Sequence, residues 1–280
     1  MKFVHEEDSV IIYLLKCRYI GGKILKPRDF IETKRITLDN IPCLIVRPIS
    51  FEGKLPTLFH YHGWGSNKDR HEFLARTIAQ YGFQVILPDS NFHGERNPLK
   101  EYNSTNILEY FWMIIKQSVD EFKAIRHQAQ AEYDVDPRAI GVSGSSMGGY
   151  ITSSIFAQNP EIKSLITFNG GSAFLKAKEL AKEKMSINLE NKVEVEEVKK
   201  YDPLTYKDSF YPRAILMLHG DADTWVSIDI QKYFLNEISP LYKEDKDKVQ
   251  LEIYHNMNHH ISIKMVESAV LWLEKHLKGK

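Results

Sequence analysis

Ser146 lies in the run Gly144-Ser145-Ser146-Met147-Gly148, a Gly-x-Ser-x-Gly pattern. The apolar stretch Arg138 to Ser143 precedes it and reads as a buried strand. The stretch Tyr150 to Ala157 follows and reads as a helix. A serine on a sharp strand-to-helix turn has its hydroxyl pushed clear of the backbone, and the glycines let the chain turn without side-chain clashes. The helix start behind it offers free N–H groups and a partial positive charge to an oxyanion. A serine hydroxyl still needs a base within hydrogen-bond reach and an acid to fix that base's tautomer. Two later segments supply candidates. His219-Gly220-Asp221-Ala222-Asp223 offers Asp221 and Asp223 as acids, and Asn258-His259-His260 offers His259 and His260 as bases. The segment His62-Gly63-Trp64-Gly65 is suited to an oxyanion hole. Its glycines let the Trp64 amide point inward, and the Met147 amide would be the second donor.

These residues need a scaffold, and the apolar runs describe one. Residues 32–38 and 41–46 read as a hairpin around Asp39-Asn40, with Pro42 disturbing its second strand. Strands are expected at 57–62, 84–87, 138–143, 164–168, 214–218 and 249–254. Helices are expected at 69–81, 106–132, 150–157, 228–238 and 261–277. Strands alternating with helices predict an α/β fold whose mostly parallel central sheet is flanked by helices. In such sheets sites form at the carboxyl ends of the strands, where all the candidates above fall. Residues 172–208 break the alternation. They are rich in Lys and Glu, and a small helical insertion over one edge of the fold is expected there.

Composition excludes several classes. The chain has 280 residues, 43% of them apolar and 26% charged, with a formal net charge of zero. A dedicated nucleic-acid surface would carry a basic excess. Cys17 and Cys43 are the only cysteines, too few for a disulfide framework or a cysteine-based zinc site. A reducing, cytoplasmic setting fits that usage. No apolar run reaches transmembrane length. The run Val10 to Leu15 follows the acidic residues Glu6, Glu7 and Asp8, unlike a signal peptide, and reads as a helix. No phosphate-loop or His-Glu-x-x-His pattern is present.

From about residue 31 to the C-terminus the chain resembles the α/β-hydrolases of the dienelactone hydrolase and prolyl-oligopeptidase-like branch. Within it, the bacterial YitV-like and YjfP-like esterases are the most similar. The resemblance rests on His62-Gly63-Trp64-Gly65, Pro88-Asp89 with His93-Gly94-Glu95-Arg96, Gly144 to Gly149, His219 to Asp223, and Asn258-His259. It implies Ser146 as nucleophile, Asp223 as acid, His259 as base, and the Trp64 and Met147 amides as the oxyanion hole. It implies that Asp221 braces a loop and that His260 faces solvent. It also implies a structural role for Asp89, His93 and Arg96 beside the site.

The remaining candidates have plainer readings. His62 and His219 lie in turn motifs and are expected to brace loops. Trp112 is core or pocket wall, and for Trp64 and Trp225 wall and core are equally weighted. Asp120 and Glu121 are expected to be surface or helix-bracing charges.

The expected activity is hydrolysis of a small carboxylic ester through an acyl-enzyme, without cofactor or metal. Peptide cleavage, sugar deacetylation and a non-catalytic small-ligand receptor are the alternatives. A propeller domain is absent from the sequence, so gating of short substrates is not expected. Residues 1–30 are expected to form an extension packed on the 31–280 hydrolase domain or on a second subunit, which would make a homo-oligomer. Neither a membrane nor a nucleic acid is an expected partner.

Overall fold

The computed structural model describes residues 18–20, 23–25, 30–185 and 195–278. The expected helix at 10–15, Cys17 and the centre of the insertion lie outside them. β1 (Arg18–Ile20) and β2 (Lys23–Leu25) form a small antiparallel pair. The main sheet holds eight strands in the order β10-β9-β8-β7-β5-β6-β4-β3. They are β3 (Ile31–Leu38), β4 (Ile41–Pro48), β5 (Leu55–Tyr61), β6 (Gln84–Pro88), β7 (Val135–Ser145), β8 (Ser164–Phe168), β9 (Ala214–Gly220) and β10 (Val249–Tyr254). Only β4 runs against its neighbours. The β3–β4 register continues through Pro42, which pairs with Thr37, so the expected irregularity does not occur.

β6, β8 and β9 are buried along their whole length, as a sheet covered on both faces requires. One face is covered by α1 (Glu72–Ala79) and α7 (Ile263–His276), with Leu74, Ile78, Met265, Trp272 and Leu273 in its core. The other is covered by α2 (Ser104–Glu132), α3 (Met147–Gln158) and α6 (Asp229–Ile238). The α2 helix places Ile114, Ile115, Val119, Phe122, Ile125 and Ala129 on one buried stripe. Asn103 caps its start by accepting from the Asn106 amide, and Ser262 caps α7 by accepting from Met265.

The insertion departs from expectation. Its helices, α4 (Phe174–Met185) and α5 (Val195–Tyr201), lie on the α2–α3 face rather than over an edge. Their sparse apolar residues explain this. Phe174, Ala177 and Val198 fall on one side and join the main core. Tyr201 donates to Asp120, and Lys116 pairs with Glu197 at 3.2 Å, which fastens α5 to α2.

Candidate active site

Every strand-end loop at the carboxyl edge between β6 and β10 contributes to one site. Ser146 follows β7 with φ 54 and ψ −118, a backbone state that non-glycine residues rarely adopt. The surroundings hold it there. Its amide donates to the Phe168 carbonyl at 2.9 Å, and its carbonyl accepts from Gly149 at 2.8 Å. Close packing fixes the glycines beside it. A Cβ on Gly148 would lie 2.0 Å from the Tyr61 carbonyl oxygen, and one on Gly144 would lie 2.0 Å from the Gly148 oxygen. The backbones can approach only because these side chains are missing. Strain of this kind concentrates at functional sites.

The acid and base loops extend the β9–β10 pairing. Asp221 and Ala222 donate from their amides to Tyr254 and Met257 at 3.1 Å. Asn258 Oδ1 accepts from the Thr224 amide at 3.0 Å and from the His259 amide at 2.7 Å. This clasp brings His259 Nδ1 within 2.7 Å of Asp223 Oδ2. The carboxylate can only accept, so Nδ1 carries the proton and Nε2 keeps its lone pair. Asp223 is wholly buried at its side chain. Burial pushes its carboxyl up, but hydrogen bonds from His219, His259 and the Val226 amide outweigh that and hold it well below the usual carboxylate range. Its Oδ1 accepts from the Trp225 and Val226 amides, each at 2.9 Å. Asp221 turns away instead and accepts from exposed His255 at 2.8 Å and from the Asn256 amide. His260 is exposed.

Residues 62–65 approach the serine from the end of β5. A Cβ on Gly63 would stand 3.1 Å from Ser146 Cβ, a tight contact that glycine avoids. Two histidines secure this loop in the same neutral tautomer. His62 Nδ1 donates to the Gly63 carbonyl, and its Nε2 accepts from Ser90. His93 Nδ1 donates to Asn91, and its Nε2 accepts from the Gly65 amide at 3.1 Å. Burial pushes both imidazoles down, which keeps them uncharged. Trp64 donates from its indole to Tyr102 O and packs edge-on to His93 and Tyr102. The Met147 amide stands at the first position of α3, where no carbonyl of the helix can reach it.

An ion network supports the same loop from below. Buried Lys68 donates to Asp89 and Glu95, each at 2.6 Å. Arg96 makes a two-pronged contact with Glu121 on α2. Gly94 (φ 55) packs against Asp89, whose carboxylate would lie 2.2 Å from an added Cβ.

The structure brings Ser146, Asp223, His259, Trp64 and Met147 to one end of the sheet. It hydrogen-bonds only the Asp223–His259 pair directly. Trp225 is not core. It is 75% exposed, with its ring centroid 6.5 Å from that of His259. His219 braces the acid loop as expected: its Nε2 donates to the Val226 carbonyl at 3.0 Å and lies 3.4 Å from Asp223 Oδ2. One contributor escapes sequence reasoning, Asn169, whose side chain bonds the Gly220 amide and the His260 carbonyl. Among the described residues, no three His, Cys, Asp or Glu side chains converge as a metal-ligand set. No helix among them is long and apolar enough to cross a membrane.

Residues 114–280 match the model of the prolyl oligopeptidase family. Putative esterase YitV of Bacillus subtilis is 25% identical over 259 residues, covering 88% of this chain and all of YitV. Esterase YjfP of Escherichia coli is 26% identical over 255 residues, again covering 88% of this chain and all of its own. A structure titled as a putative dienelactone hydrolase from Klebsiella pneumoniae superposes with a TM-score of 0.67 at 16% identity, covering 88% of this chain and all of that one. That likeness shows the shared α/β-hydrolase fold. The chain belongs to the prolyl oligopeptidase family, in the α/β-hydrolase branch that includes the YitV-like and YjfP-like esterases.

Proposed function

We propose that this protein is a serine hydrolase of small carboxylic esters, with residues 31–280 as its hydrolase domain and 172–208 as an insertion within it. The observation that carries the reading is the pairing of His259 with buried Asp223, 2.7 Å apart, at the sheet end that bears the strained Ser146 turn. His259 Nε2 takes the proton from Ser146 Oγ as the hydroxyl attacks the acyl carbonyl. Asp223 stabilises the imidazolium, and the Trp64 and Met147 amides hold the oxyanion. His259 then protonates the leaving alcohol. Water repeats the cycle on the acyl-enzyme. The names of YitV and YjfP support esters as the substrate class. Peptide bonds are the second class, favoured by the family match.

A p-nitrophenyl ester series from acetyl to decanoyl, run beside acyl-peptide p-nitroanilides, tests both. Ester turnover that vanishes in Ser146→Ala supports the first reading. Turnover confined to the anilides would replace it with the second.

A further inference from the structure

The acid and base loops meet at a residue that bears no acid, base or nucleophile, next to the one that holds the serine turn. Asn169 directly follows β8 and is 2% exposed, with φ 48. Its amide donates to Leu218 O at 2.8 Å, which locks it against β9. Its side-chain Oδ1 accepts from the Gly220 amide at 3.0 Å, at the start of the acid loop. Its Nδ2 donates to the His260 carbonyl at 2.8 Å, one residue beyond the base. The carbonyl of its neighbour Phe168 holds the Ser146 amide. A carboxamide alone fits this position. It presents a donor and an acceptor on one short side chain, and asparagine tolerates positive φ better than most residues.

We propose that Asn169 is a positioning residue that sets His259 against Ser146 by tying the base and acid loops to the serine turn. The proposal rests on the serine-hydrolase reading above. Aspartate at this site keeps the volume and the bond from Gly220 but turns an acceptor toward the His260 carbonyl. Glycine keeps the backbone state without strain and removes both side-chain bonds. Neither change touches an atom that reacts.

The test compares wild type, Ser146→Ala, Asn169→Asp and Asn169→Gly on p-nitrophenyl acetate. Alongside, the rate and stoichiometry of labelling by a fluorophosphonate are measured. The expected result is one label per chain in both Asn169 variants, taken up more slowly. Their kcat should fall about tenfold or more, with KM within about twofold, because small misplacements of a base are costly. Two outcomes overturn the proposal. One is folded variants whose kcat stays within about twofold of wild type. The other is a loss of turnover matched by an equal loss of labelled sites, which marks Asn169 as a folding residue only. A wild type that is neither labelled nor active would instead overturn the hydrolase reading itself.

Discussion

At the scale of single residues, the two candidate acids separate by burial. Asp223 accepts from two backbone amides and from His259, with His219 beside the same oxygen, so its position is over-determined. An amide in its place would turn donors toward donors, and His259 would lose the support that sets its tautomer. We expect Asp223→Asn to lower kcat on the order of 10⁴-fold, the cost of the same swap in a serine-protease triad, in steady-state ester assays. Asp221→Asn, with its partners at the surface, should stay near wild type in the same assay. The depressed carboxyl of Asp223 also has a stability consequence. The unfolded carboxyl binds its proton near pH 3.9, whereas the folded one resists it. Its contribution is therefore full above about pH 4 and is lost as pH falls toward the folded value. The stability gap between wild type and Asp223→Asn, followed by urea unfolding, should narrow below about pH 4. The nucleophile was legible from its glycine-flanked turn, and the acid and base candidates from their places after strand ends together with the family resemblance. The role of Asn169 was not. It depends on which strand ends lie side by side, and no local spacing encodes that.

Elements were legible where their interiors are uniform and less so where packing overrides local preference. The helix after Ser146 begins at Met147, not at Tyr150. Gly148 and Gly149 disfavour a helix in isolation, but they let it seat against Tyr61 and Gly170. We expect Gly148→Ala to prevent soluble expression, since its Cβ has no room beside the Tyr61 carbonyl. β7 starts at Val135, ahead of the expected position, because Val135 pairs with Leu55 across an irregular register that Pro137 hides from the sequence pattern. Arg213, just before β9, shows how an element end is secured. Its guanidinium donates to the carbonyls of Phe156, Asn159 and Ile162 at the end of α3 and to Ser209. It also lies 3.8 Å from the centre of the Phe156 ring. Arg213→Ala would leave those buried acceptors unpaired, and a loss of about 2–4 kcal/mol is expected in urea unfolding.

Across the whole molecule, the alternation of strands and helices was enough to anticipate the sheet and the edge that carries the site. It did not locate the insertion, whose few apolar residues gain meaning only once α2 and α3 offer a face. Burial pushes four of the buried histidines, His60, His62, His71 and His93, below their ordinary value, His71 to about 4. They are neutral in the fold and protonate near pH 6.5 once unfolded. Stability should therefore fall as pH drops below about 6.5, by up to about 1.4 kcal/mol per pH unit for each such histidine, until its folded value is reached. Thermal unfolding between pH 7 and pH 4 checks this. Ser146 is the proposed nucleophile, activated by His259 and held by the loops around it, and fluorophosphonate labelling located by mass spectrometry decides whether it works. A single adduct on Ser146 is expected, taken up far more slowly in His259→Ala and at a wild-type rate in His260→Ala. A folded protein that takes no label, or takes it on another residue, would remove Ser146 from that role.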